Sequence, residues 1–160
     1  MDKTSKGFSL IELLIVVAII LIIAAIAIPN FLRSRVAANQ ASAVASLHTL
    51  GIAEATYSST FGQGFSVDMQ SLAPPPGNAN VSSTAAGLID STLTSGSKSG
   101  YSFTYSPGPA GATGIITNYS FTAVPITSST GTNYYYTDES GVIHLNATTN
   151  ASSTDSPVGG

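Results

Sequence analysis

Few residues in this sequence are of a type that does chemistry, and the most informative is a glutamate inside an apolar run. In the stretch KGFSLIELLIVVAIILIIAAIAIPN every residue from 13 to 28 is apolar, and Glu12 is the only charge between Lys6 and Arg33. A carboxylate deep in a membrane helix costs roughly 2.5–3.5 kcal/mol, so a charge in such a segment indicates a function. Glu12 is therefore the first residue to explain.

The remaining reactive residue types form no catalytic or metal-binding pattern. The chain has no cysteine, which excludes disulfides and thiolate metal sites. Its two histidines, His48 and His144, are far apart in sequence and lack the spacing of a metal motif. The sequence also has no G-x-S-x-G nucleophile elbow and no glycine-rich phosphate loop. These observations predict a protein that is not an enzyme and uses no cofactor.

The apolar run predicts a helix that crosses a membrane. Residues 8–32, about 25 in all, span roughly 37 Å as a helix, which exceeds the ~30 Å hydrocarbon core of a bilayer. Two ordinary explanations are a plain membrane anchor and a secretory signal peptide with Ala25-Ile26-Ala27 as its cleavage site. The run is longer than the hydrophobic part of a usual signal peptide, and neither explanation accounts for Glu12.

The stretch KGFSLIELL, residues 6–14, resembles the class III signal of type IV pilins and their pseudopilin relatives. It combines the Gly7–Phe8 bond, a serine two residues after the glycine, and Glu12 as the fifth residue of a chain that begins at Phe8. The resemblance implies that residues 1–7 are a leader peptide. It also implies that a prepilin peptidase of the inner membrane cuts between Gly7 and Phe8 and methylates the new amino group of Phe8.

The same resemblance implies a role for Glu12. In that family the glutamate pairs with the positively charged amino terminus of a neighbouring subunit during filament assembly, and here that terminus would be Phe8. Pairing with an ammonium group recovers much of the cost of burying a carboxylate. Residues 8–32 would be a membrane segment in the precursor and the core of the filament after assembly. The implied partners are further copies of the chain in a helical homopolymer, the prepilin peptidase and an inner-membrane assembly platform.

The function implied by the resemblance is that of a structural subunit of a type IV pilus. The precursor would lie in the bacterial inner membrane, and the assembled pilus would be extracellular. Two alternatives stay open: a pseudopilin of a type II secretion system, acting in a periplasmic pseudopilus, and a monomeric membrane-anchored surface protein. A chain that begins at Phe8 keeps three basic and seven acidic residues, a formal charge of −4, which disfavours direct binding of nucleic acid.

Pro29 ends the apolar run and divides the predicted helix. Its ring removes a backbone donor and clashes with the preceding turn, which predicts a kink or local melting near residues 25–28. Residues 33–61 predict an amphipathic helix that packs on a head domain. Its apolar stripe at helical spacing consists of Val36, Ala43, Leu47, Leu50, Tyr57 and Phe61. His48 is expected beside that packing face or on the solvent side.

Two arginines, Arg33 and Arg35, directly follow the membrane segment. The simpler interpretation is that both side chains snorkel at the membrane boundary. The alternative is an ion pair between subunits with a carboxylate such as Glu54 or Asp68. Nothing in the sequence selects a partner.

The chain after residue 61 predicts a small sheet domain. Residues 62–100 are predicted as a connecting loop with a short helix near 68–72 and a second helix over 85–93, capped by Thr84. Residues 101–146 predict an antiparallel sheet with strands at 101–105, 119–124, 134–137 and 142–145, followed by a flexible tail over 147–160. The predicted class is α+β: a long amino-terminal α-helix packed on a small antiparallel sheet, as in pilins.

Two adjacent acids, Asp138 and Glu139, lie in the loop DESG between the last two predicted strands. This loop is typical of a hairpin turn with Gly141 at positive φ. Some pseudopilins bind calcium near their carboxyl termini, and by that resemblance these acids are weak calcium candidates. A turn that uses one acid for its geometry and leaves the other in solvent is commoner, and it is the favoured interpretation.

Overall fold

The protein is α+β, and a long helix precedes an antiparallel sheet. The computed structural model describes residues 7–77 and 79–159, so residues 1–6 of the predicted leader lie outside the described residues. The chain divides into two compact units, Met1–Arg35 and Val36–Gly160. In chain order the elements are α1 (Leu10–Phe61), a 3-10 helix (Met69–Leu72), α2 (Ser91–Thr94), β1 (Ser97–Lys98), β2 (Tyr101–Pro107), β3 (Tyr119–Pro125), β4 (Tyr134–Asp138), β5 (Ile143–Asn146) and β6 (Ser156–Pro157).

The first unit contains the amino-terminal part of α1, whose apolar side chains have no core to enter. The large apolar side chains between Phe8 and Leu32 are 45–80% exposed. Among the described residues α1 is the one helix long and apolar enough to cross a membrane. The helix is continuous through Pro29, so residues 25–28 are helical in this structure rather than melted. A kink at Pro29 stays a prediction.

The second unit is a head in which six strands follow one another as an antiparallel meander, in the order β1 to β6. The longest pairing, between β2 and β3, sets Phe103 opposite Ala123 and Tyr105 opposite Phe121. Burial alternates along β2 and β3, as expected for strands with one face on a core. Of the three consecutive tyrosines in β4, the middle one, Tyr135, is buried.

The core of the head lies between α1 and one face of the sheet. Ala43, Leu47, Leu50 and Tyr57 of the predicted stripe are buried, which confirms the helical spacing seen in the sequence. His48 is exposed. From the sheet, the core receives Tyr101, Phe103, Tyr119, Phe121, Ala123 and Tyr135.

The sheet extends beyond its predicted limits at both ends. Strand β1 lies within the predicted loop, and β6 lies within the predicted flexible tail, where it pairs with β5. Ala151 of that tail is buried, and the Asn146 side chain donates a hydrogen bond of 2.9 Å to Asp155. Two-residue strands are too short to show an alternating pattern, so they leave no periodic signal in the sequence.

The second short helix is not where the sequence predicts it. Instead of covering residues 85–93 behind a Thr84 cap, α2 is one turn at Ser91–Thr94 and Asp90 is its N-cap. The carboxylate of Asp90 accepts a 2.7 Å hydrogen bond from the Leu93 amide, an interaction that threonine makes less favourably. The 3-10 helix, by contrast, lies where a short helix is predicted, with Asp68 as its N-cap.

Candidate functional site

The Gly7–Phe8 bond lies in open, non-helical backbone before the start of α1. Residues Gly7, Phe8 and Ser9 have no regular structure, and α1 begins at Leu10. The Phe8 side chain is 80% exposed, and a side-chain carbon placed on Gly7 would have no neighbour within 4 Å. Exposed non-helical backbone is what a protease cuts most readily, because helical hydrogen bonds need not be broken first.

Glu12 has a local partner that was not predicted from the sequence. It is the third residue of α1, and its Oε2 accepts a 2.9 Å hydrogen bond from the backbone N–H of Ser9. This contact is one half of a capping box, in which a glutamate at the third helical position satisfies the amide of the capping residue. The positive end of the helix dipole also favours a carboxylate in the first turn. The S-x-x-E pattern at residues 9–12 is the sequence signal for this contact.

Phe8 therefore lies just before α1 and Glu12 in its first turn, with the predicted cleavage bond directly before Phe8. A carboxylate accepts several hydrogen bonds at once, so the contact with Ser9 leaves Glu12 acceptor capacity for a cation. Proline at position 29 lies further along the same helix and has no N–H to donate to the carbonyl of Ala25. The pairing of Glu12 with the amino terminus of another copy stays a prediction.

The two candidate calcium ligands have different surroundings in the β4–β5 turn. Asp138 accepts hydrogen bonds from both the amide and the hydroxyl of Ser140, and Gly141 has a φ of 73°, as predicted. Glu139 is exposed, and no hydrogen bond reaches it from the described residues. Across residues 7–77 and 79–159 no group of three or more His, Asp or Glu side chains is suited to a metal ion. Asp138 thus shapes the turn while Glu139 stands in solvent.

Glu54 is buried inside the head, which rules it out as an accessible partner for Arg33 or Arg35. Its side chain has 0% exposure, and it accepts hydrogen bonds from the Ser66 amide, at 2.9 Å, and from the Ser66 hydroxyl. Tyr105 donates a 2.7 Å hydrogen bond to the Ser66 carbonyl and closes the network. Burial raises the pKa of the Glu54 carboxyl, and the hydrogen bonds from Ser66 oppose that shift.

The position of Glu54 could have been predicted from the sequence. It follows Leu47 and Leu50 and precedes Tyr57 at spacings of three and four, which is the spacing of the buried face. Asp68, the other candidate partner, is exposed but already accepts hydrogen bonds from the amide and hydroxyl of Ser71. The structure thus gives both carboxylates partners within their own chain.

Comparison with known proteins adds to this geometry at the amino terminus. Residues 2–28 match the family described as the prokaryotic N-terminal methylation motif. The chain is 46% identical over 56 residues to the type IV major pilin protein PilA of Myxococcus xanthus. The aligned segment makes up 35% of this chain and 26% of that protein. It is 54% identical over 46 residues to the type IV wide pilus major component PilA4 of Thermus thermophilus. The aligned segment makes up 29% of this chain and 35% of that protein.

These matches cover a limited part of each sequence. The chain spans about a quarter of the first curated relative and about a third of the second. No solved structure matches the chain. The similarity therefore concerns a segment, and the rest of the chain has to be interpreted from its own structure.

Proposed function

We propose that this chain is a structural subunit of a type IV pilus filament, because its amino-terminal segment is similar to that of type IV pilins. The observation that carries the proposal is the arrangement at the start of α1. An open Gly7–Phe8 bond and Glu12 are followed by a helix whose apolar side chains are exposed. The relatives are named as a major pilin and a major pilus component, which favours a structural role over an enzymatic one.

Processing is the first step of the proposed function. Prepilin peptidase cuts the Gly7–Phe8 bond and methylates the new amino group of Phe8. The open backbone at these residues supports this step, since the bond lies two residues before α1 begins. Cleavage removes the two lysines of the leader, Lys3 and Lys6, and creates a positive charge four residues before Glu12.

Assembly is the second step, and Glu12 helps to shift the chain from the membrane to the filament. Lipid covers the apolar side chains of α1 as well as neighbouring helices do, so apolar burial alone does not favour the filament over the membrane. Packing between helices contributes to the free-energy difference between membrane and filament, and so does the carboxylate of Glu12. A lone carboxylate costs roughly 2.5–3.5 kcal/mol at the bilayer centre and less near a helix end, where Glu12 lies, and that cost falls when the amino terminus of another copy lies beside it.

The alternatives share the amino-terminal segment and differ in the fate of the chain after processing. A pseudopilin of a type II secretion system would assemble into a short periplasmic structure with the same helix contacts. A monomeric anchored protein would keep α1 in the inner membrane. Pilus formation is preferred because both named relatives are pilus subunits. On this proposal the precursor lies in the inner membrane with the assembly platform, and the product is extracellular.

Replacing Glu12 tests the proposal. Glu12→Ala is expected to reduce sheared surface filaments at least about tenfold, because removing the carboxylate removes the pairing that favours the filament by more than about 1.4 kcal/mol. The amount of protein in the membrane fraction should not fall, since alanine is easier to insert than glutamate.

A control for that experiment is Gln63→Ala, which removes an exposed polar side chain of similar size from the head. It should lower filament yield much less than the change at residue 12. Parental filament yield from the Glu12 variant would contradict assembly through this carboxylate and would favour the monomeric anchor.

A further inference from the structure

We propose that Glu139 of one copy of this chain docks against Arg35 of a second copy, at a groove on the head that receives the end of the second copy's apolar helix. The inference rests on the proposed function, because it requires the chain to assemble with itself. It adds a specific contact between the head and a neighbouring helix, away from Glu12.

The acidic side chains of the described residues single out Glu139. It is the only one among them that has neither a hydrogen bond nor an ion pair. The other six are engaged within the chain: Glu12 with Ser9, Glu54 with Ser66, Asp68 with Ser71, Asp90 with Leu93 and Lys98, Asp138 with Ser140, and Asp155 with Asn146 and Ser152. Glu139 is therefore the acid left for a partner outside the chain.

The basic side chains show the complementary pattern. Lys98 lies 3.6 Å from Asp90, the one ion pair found within residues 7–77 and 79–159. Arg33 and Arg35 are exposed, and both remain in a chain that begins at Phe8. In the part of the chain that the structure describes, the head thus has one unengaged acid and α1 has two unengaged arginines. Opposite charges without partners in one chain are suited to meet between two chains.

Glu139 is one of the residues that line a largely apolar groove of about 260 Å³ on the head. The groove is also lined by His48, Gly51 and Ile52 of α1, together with Phe65 and Tyr119, among others. Ile52 is 57% exposed, so this surface leaves apolar area in water. A largely apolar groove that includes an acid in its lining suits a helix that presents apolar side chains and a base on one face.

The end of the apolar run is a helix of that kind. Phe31 is 67% exposed and Leu32 is 49% exposed. They precede Arg35 by four and three residues in the continuous helix α1, so the three side chains share one face. Arg33 lies two residues after Phe31 and belongs to a different face. Helical spacing therefore selects Arg35 over Arg33.

The proposed contact also has the symmetry that a filament needs. It joins two different surfaces, the helix end of one copy and the head groove of another, so it is heterologous. Contacts of this type continue from copy to copy and build open helical filaments when the rotation does not close. An exposed ion pair adds little affinity by itself, but it selects the partner and fixes the register. The apolar side chains supply the buried area.

A charge-exchange experiment in the full chain tests the pairing. Glu139→Arg places like charges together and is expected to lower the yield of sheared filaments at least about tenfold. Adding Arg35→Glu restores opposite charges and should return the yield to within about threefold of the parent. Adding Arg33→Glu is the matched control, because it changes the net charge equally on a different face, and it should not restore assembly.

A cross-linking experiment tests proximity without relying on charge. The chain contains no cysteine, so Glu139→Cys with Arg35→Cys introduces the only two thiols. A disulfide requires Cα atoms within about 7 Å of each other. The Cα atoms of an arginine–glutamate ion pair can lie further apart, so a short bis-maleimide reagent is used to link the two thiols. A ladder of linked subunits is expected from filaments of this variant. Filaments with Glu139→Cys and Arg33→Cys should give little or none.

The outcomes separate this inference from the proposed function. Parental yield from Glu139→Arg, or equal restoration by Arg33→Glu, would overturn the pairing with Arg35. Filaments that form from the Glu139→Cys and Arg35→Cys variant but do not cross-link would overturn it as well. If that variant does not assemble, the charge exchange decides. A parent chain that makes no filaments at all would instead contradict the proposed function.

Discussion

The two units of this protein handle their apolar residues in opposite ways. In the head, Leu50 is fully buried among other side chains of its own chain, whereas Leu21 on the same helix α1 is 63% exposed. The head therefore buries a core of its own, whereas the large apolar side chains between Phe8 and Leu32 are exposed. Exposed apolar surface of this extent marks a contact with a membrane or with another protein.

Charged groups follow the same division. Glu54 is buried and hydrogen-bonded within the head, while Glu12 has one local hydrogen bond at an exposed helix end. The first carboxylate has its partners inside the chain, and the second keeps capacity for a partner outside it. The comparison separates a carboxylate that the fold uses from one that is left for the contact between molecules proposed above.

The largest effect should come from the same substitution made in each unit. Leu50→Ala is expected to lower the free energy of unfolding of the head by about 2–5 kcal/mol, because it leaves a cavity in the core. Leu21→Ala removes an exposed side chain and should change that free energy by less than about 0.5 kcal/mol. Urea unfolding of the full chain in detergent, followed by near-UV circular dichroism of the tyrosines, measures both. Equal losses would contradict the division into two units.

A smaller effect concerns the buried carboxylate of the head. Burial raises the pKa of Glu54 above its ordinary value of 4.5, so the folded state holds this proton more tightly than the unfolded state. The resulting stabilisation is fully present below pH 4.5 and is lost as the pH rises through the raised value. In Glu54→Gln this loss should disappear. Unfolding curves of the parent and the variant, recorded between about pH 4 and 7, measure the difference.

Ser66→Ala is the companion variant for that experiment. It removes a hydroxyl that hydrogen-bonds to Glu54 and favours its charged form, so the loss of stability with rising pH should become larger and extend to higher pH. Asp90 and Asp155 have lowered pKa values and act in the opposite sense at more acidic pH. A parent curve parallel to that of Glu54→Gln would show that this carboxylate is solvated rather than buried.

Periodic features of the fold could be predicted from the sequence better than short ones. The stripe from Ala43 to Tyr57 and the alternation in β2 and β3 are periodic signals, and the structure confirms both. Strands β1 and β6 and the single turn α2 are too short to carry a period. They depend on pairing with β2 and β5 and on the Asp90 cap, which are tertiary or local contacts.

The candidate site residues also divide into those with a sequence signal and those that depend on the folded structure. Gly7, Phe8 and Glu12 are recognisable because a family motif fixes their order, and the capping contact between Ser9 and Glu12 also has a local pattern from which it could have been predicted. The isolation of Glu139 is different, because it depends on which partners occupy the other acids of the described chain. Such a property belongs to the folded structure and has no local sequence signal.

Filament assembly through Phe8 is tested most directly by the intact mass and amino-terminal sequence of the protein recovered from its native cell envelope. We expect a chain that begins at N-methylated Phe8, with the Gly7–Phe8 bond cut and the two leader lysines absent. A chain that begins at Ile28 would indicate ordinary secretion. A chain that retains Met1 would indicate an uncleaved anchor, and either result would contradict a filament built on the amino terminus of Phe8.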